Sequence, residues 1–214
     1  MALSFPYPLA FFCDLLRVNR VRLRLQRNDE QSGSGDGRFW SAELARPLWT
    51  AEASLATRPE TEARELEAKI DGLDGMHGTF LFSDPAYKGP ASGVTSGLGA
   101  VTILGISADR GGISLSGLPA GYVVTAGDFL SIVHGTYVYF GRFAEGGTAG
   151  VGGNLAVRAI RPFLPLTVQT GAAVELVLPY FKAIIPPGGY APFNYDLPSG
   201  EIAVGGSLTV LQRP

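Results

Sequence analysis

The sequence offers few side chains suited to chemistry, and they are scattered. Its histidines are His77, in a Gly-rich turn, and His134, at the end of a predicted strand; its one cysteine is Cys13. No H-x-E, H-E-x-x-H or C-x-x-C spacing joins them, so no dedicated zinc site is expected. One cysteine also rules out a disulfide within the chain, which suits folding in a reducing cytoplasm. No G-x-S-x-G nucleophile turn occurs: in GISLSG, residues 112–117, Ser116 stands where the second glycine belongs. GGTAGVGGN, residues 146–154, resembles a phosphate loop but lacks the Lys-Ser/Thr ending and runs into a strand, so it is expected to be a flexible connector. Paired carboxylates hydrolyse glycosides, yet Asp71 with Asp74, Glu43 with Glu52, and Asp84 with Asp128 make no such constellation. Asp128, in AGD, is expected to cap a turn through its side chain. The chain is therefore read as non-enzymatic, with no catalytic residue, metal or cofactor.

The most distinctive chemistry is RVNRVRLRLQR, residues 17–27, with five arginines. Val21, Leu23 and Leu25 alternate with Arg20, Arg22, Arg24 and Gln26, the period of a half-buried strand. Three uses compete. A grip on nucleic acid wants interleaved aromatics and a basic protein; residues 17–27 hold no aromatic, Asp29 and Glu30 follow, and the formal net charge is −2. Specific nucleic-acid binding is therefore not expected. A solvated edge guarded by charge is the bland reading. The third is a subunit interface of Arg20, Arg22 and Arg24 with Glu43 or Glu52 of a neighbour, since arginine pairs with carboxylates through two parallel hydrogen bonds.

The elements around these residues are mainly β. The chain has 214 residues, 29 of them Gly and 15 Pro, a composition of many short strands joined by turns. NDEQSGSGDG, residues 28–37, reads as a mobile hairpin tip or loop, and residues 39–55 as one or two strands interrupted at Arg46-Pro47. Residues 57–75 read as an amphipathic helix. Thr57 and Glu60 have capping-box spacing, Pro59 suits the first turn, and Ala63, Leu66, Ile70 and Leu73 form its apolar stripe. After a Pro/Gly/Ser-rich connector at 85–99, short strands at even spacing suit a small barrel or sandwich. VELVLPYFKAII, residues 174–185, reads as one long strand, and Gly205-Gly206 as a bulge or bend. The N-terminus lacks a basic start and carries Pro6 and Pro8, a poor match to a signal peptide. No apolar run approaches the roughly 18 residues of a membrane span.

The order of segments resembles tailed-phage tail-tip proteins of the distal tail or baseplate type. The likeness rests on the helix ETEARELEAKIDGLDG and on Leu73, Gly75, Gly78 and Phe80, which fit an L-x-G-x-x-G-x-F stretch. Ala126, Gly127 and Asp128 fit a later L-x-A-G-D segment, with Val124 in place of Leu, and Arg161-Pro162 fits a strand ending in R-P. It covers roughly residues 17–185 through short glycine and hydrophobic signatures. The resemblance implies a β-sandwich with one flanking helix and a long hairpin, at 1–90 with 171–214, and a second small β-barrel or sandwich domain at 91–170. It implies a structural virion component made in the bacterial host cytoplasm: a hexameric ring of copies of itself that joins the tail tube to hub and fibre proteins. A baseplate hub subunit is the near alternative. A carbohydrate-binding module is the distant one, with Trp40, Trp49, Tyr190, Phe193 and Tyr195 as stacking platform.

Overall fold

A computed structural model describes residues 3–33, 35–196 and 202–213. The protein is mainly β, with a long hairpin and an amphipathic helix. Two compact units share the chain: Met1–Phe5 with Asp14–Thr79 and Ala183–Arg213, and, inserted between them, Pro6–Cys13 with Phe80–Lys182. The inserted unit takes in residues 80–90 and 171–182 as well as the 91–170 that the resemblance implies.

The first unit opens with β1 (Val18–Gly33) and β2 (Phe39–Leu55), antiparallel over their whole length. Strand β1 reaches through residues 28–33, which the sequence suggested were a mobile hairpin tip or loop; of the described residues, 35–38 lie between the two strands. Pro47 does not break β2. Instead the register slips by one residue between Gln26 and Asn28 and again between Asn28 and Asp29, so β2 carries two extra residues there. A strand absorbs a missing ladder donor in this way, and bulges bend and twist it.

Next come β3 (Arg58–Pro59) and the helix α1 (Glu60–Asp71). The expected capping box does not form: Pro59 is the N-cap, with no side-chain cap bond. Residues 58 and 59 are held in a sheet, and Arg58 is buried, which takes Thr57 away from the helix start. Glu60 and Glu62 sit at the positive end of the dipole, and Lys69 in the last turn. Ala63, Leu66, Ile70 and Leu73 are all buried, the larger side chains contributing about 1.5–3 kcal/mol each.

The inserted unit begins with β4 (Phe80–Phe82), where Leu81 N–H donates to the Tyr7 carbonyl at 2.9 Å. It continues through β5 (Thr102–Ile106), β6 (Gly112–Ser116), β7 (Val123–Val124), β8 (Phe129–His134), β9 (Tyr137–Phe143), β10 (Gly147–Thr148), β11 (Leu155–Arg161) and β12 (Val174–Glu175). One sheet runs β12-β8-β9-β11-β6-β5. Its two ends meet: Ile103 N–H donates to Ala172 O at 3.0 Å, and Val174 N–H to Val101 O at 2.9 Å. The sheet therefore curls into a small barrel around Ile113, Leu115, Leu130, Ile132, Leu155 and Ile160. β7 and β10 pair beside it, so the glycine-rich 146–154 segment is a built turn rather than a free connector.

The 174–185 stretch is not one strand. Glu175 accepts from the N–H groups of Val177 and Leu178, Pro179 follows, and the chain re-enters a sheet as β13 (Phe181–Ile184). Then follow β14 (Tyr190–Ala191), β15 (Asn194–Tyr195), β16 (Ile202–Val204) and β17 (Ser207–Gln212). β17 inserts between β2 and the Ala183–Ile184 end of β13, and β14 also pairs with it. β15, β16 and β3 form a separate three-stranded sheet beside α1. Gly205-Gly206 is where the chain passes from one sheet to the other.

Candidate functional site

The feature that burial does not explain is the outer half of the β1–β2 hairpin. β17 pairs with β2 only from Thr50 to Ser54, so from Leu48 to Phe39 the described ladder partner of β2 is β1 alone. At about 3.3 Å per residue, this two-stranded arm extends roughly 30 Å. Residues 39–46 are all exposed, and Phe39, Trp40 and Leu44 have relative exposures of 81%, 67% and 69%. Side chains alternate across a ribbon. Trp40 and Ala42 share a face with Ser32 and Glu30; Phe39, Ser41 and Glu43 share the other with Gly33, Gln31 and Asp29. Both faces are thus partly apolar and neither is covered. A two-stranded ribbon is marginal by itself, and clustered exposed aromatics mark interaction surfaces.

Asp29 and Glu43 stand directly opposite one another on the arm, a like-charge pair that weakens a ladder. Asp29 Oδ2 accepts from Arg27 Nε at 2.8 Å, while its Oδ1 is buried with no hydrogen-bond partner among the described residues.

At the base of the hairpin, Arg20, Arg22 and Arg24 are exposed on the side of β1 opposite Val21, Leu23 and Leu25. Across the ladder they face Ser54, Glu52 and Thr50. Arg24 Nη2 lies 3.1 Å from Glu52 Oε1. Arg20 and Arg22 make no ion pair among the described residues. The five residues expected at an interface are therefore divided: Glu52 is engaged by its own chain, Glu43 sits out on the arm, and two arginines are uncommitted. Sequence reasoning missed Phe39, Leu44 and Asp29, because residues 28–37 looked like loop and hid the length of the ribbon.

The five proposed stacking residues do not form a platform. Trp49 and Phe193 are buried, at 1% and 5% exposure. Tyr190 and Tyr195 are half-buried and donate their hydroxyls to Glu67, at 3.3 and 2.7 Å. Burial first, then the Glu67 carboxylate, raises the pKa of both. Trp40, on the arm, is the exposed one.

The groups weighed for chemistry have structural partners. Asp128 is buried, accepting from Thr125 N–H and Ala91 N–H at 2.8 Å each, which is the expected turn cap with a second anchor. His134 Nδ1 lies 3.0 Å from Thr167 Oγ1 and its ring stacks on Tyr137; burial lowers its pKa. Among the described residues no group of three or more His, Cys, Asp or Glu is placed to hold a metal ion, and no helix is long and apolar enough to cross a membrane.

No known family model matches the chain, and no curated protein matches its sequence.

Proposed function

We propose that this chain is a structural subunit that joins copies of itself head to tail into a closed ring, with the β1–β2 arm as the joining part. Its setting is the tail tip of a tailed phage, where a hexameric ring links the tail tube to the hub and fibres. One observation carries the reading: a ribbon with Phe39, Trp40 and Leu44 exposed and, among the described residues, no strand beyond β1 to cover it. An arm that reaches a neighbour makes a heterologous contact, and such contacts close into rings when the rotation permits. Coverage by the neighbour would remove the apolar faces from water and stabilise the folded subunit by mass action. The phage setting rests on the resemblance carried by Leu73, Gly75, Gly78, Phe80 and the AGD turn.

Light scattering on the full chain is the test. The expected result is a particle several times the 22.6 kDa monomer. Phe39→Ser with Trp40→Ser should move it toward monomer, with the thermal melt of the rest of the fold retained. A chain that stays monomeric at every concentration rejects the proposal.

A further inference from the structure

We propose that the arm of one copy lies across the arginine-bearing face of the next, with Glu43 received by Arg22. The inference rests on the ring reading above and names the surface that receives the arm.

Two observations point to it. First, the uncommitted charges on the two surfaces are opposite in sign: Arg20 and Arg22 at the base, Glu43 on the arm. Second, one chain does not satisfy its own set by pairing. Arg22 lies opposite Glu52 in the ladder, whereas Glu43 lies opposite Asp29 on the far side of two bulges. A second copy brings arm and base together in a head-to-tail seam.

Charge reversal tests the seam. Arg22→Glu spoils the receiving face and spares the arm; Glu43→Arg spoils the arm and spares the face. Both residues are exposed, so both variants are expected to fold, and Arg22→Gln serves as a milder variant that sets no acid opposite Glu52. Each reversal is expected to raise the concentration needed for assembly by about tenfold or more. Mixed one to one, the two reversed chains should assemble again, because every seam then joins opposite charges. Full assembly of Arg22→Glu and Arg22→Gln overturns this inference and leaves the ring intact. Loss of assembly without rescue on mixing also overturns it, since Arg22 would then meet some other group. A monomeric wild type overturns both readings. Should that monomer bind a DNA duplex at low salt and lose it with Arg22→Gln, the arginine face is a phosphate contact instead.

Discussion

Arg58 donates through Nη1 to the main-chain carbonyl of Leu15 at 2.9 Å. Its Nη2 also donates to the Leu16 carbonyl, its Nε reaches Ala56 O at 3.3 Å, and its guanidinium lies over the Phe193 ring at 5.1 Å. The side chain is 3% exposed and its described acceptors are carbonyls, not carboxylates. A buried cation held by backbone dipoles positions the turn that delivers the chain into β1. Burial and the nearby Arg17 lower its pKa, yet an arginine stays charged under any ordinary condition.

Arg58→Met is expected to destabilise the first unit by about 3 kcal/mol, because several buried carbonyls lose their donor together. Arg58→Lys should recover only part of this, since an ammonium does not span the same fork of acceptors. Urea unfolding of both variants measures the difference, and equal stability of Arg58→Met and wild type contradicts it.

Arg110 has a positive φ of 59° and yet holds a loop together, its guanidinium donating to Leu164 O at 3.1 Å and to Val168 O at 2.6 Å. Backbone and side chain therefore pull in opposite directions. Arg110→Gly loses the bonds but relieves the left-handed backbone; Arg110→Ala loses the bonds and keeps the strain. The alanine variant should be less stable than the glycine variant by about 1 kcal/mol, read from thermal melts.

Two glycines of the barrel unit should respond differently to the same change. Gly117 and Gly121 both have positive φ, at 85° and 76°. A Cβ at Gly117 would strike the Ala100 carbonyl oxygen, whereas one at Gly121 meets nothing within 4 Å. Gly121→Ala is expected to cost about 1 kcal/mol, the backbone strain alone. Gly117→Ala should cost more, because a main-chain oxygen beside β5 has to move. Similar melting temperatures for the two variants would contradict this.

Alkaline pH should unfold the protein. Burial raises the pKa of Tyr87 and Tyr139 in the inserted unit, and burial with the Glu67 carboxylate raises that of Tyr190 in the first. In the unfolded chain these hydroxyls titrate near pH 10. Above that value the unfolded state has lost protons that the folded state retains, so stability falls as pH rises. The contribution is complete below pH 10 and is lost progressively toward the raised folded values. Phenolate absorbance of these residues should rise together with loss of the far-ultraviolet β signal, and Tyr190→Phe should flatten the dependence.

How far the sequence reached depended on which forces acted locally. Alternation of Arg20, Arg22 and Arg24 with Val21, Leu23 and Leu25 identified β1, because one of its faces is half-buried along that stretch. The helix stripe at Ala63, Leu66 and Ile70 was legible for the same reason. The arm was not, because both of its faces are exposed and residues 28–33 carry none of the apolar rhythm that marks a strand. The helix start was misplaced because a distant partner, β16, holds Arg58 and Pro59, and no local capping pattern reports that pairing. The split of residues 174–185 followed from Pro179 and from the Glu175 carboxylate, which accepts from the Val177 and Leu178 N–H groups. At the candidate site, the arginine face was visible as composition, whereas the commitment of Glu52 to Arg24 depends on register alone.

The insertion sets an order of events at the ribosome. β2 finds its second neighbour, β17, only after residues 55–206 have been made. At roughly 5–20 residues per second that delay is roughly 10–30 s. The barrel lies wholly upstream of β17 and is free to close during this interval, while the Thr50–Ser54 edge of β2 waits unpaired in the nascent chain. Until β17 arrives the hairpin exposes an open strand to other nascent chains on the same polysome. Early termination would therefore release a product prone to aggregate, not a shorter folded protein.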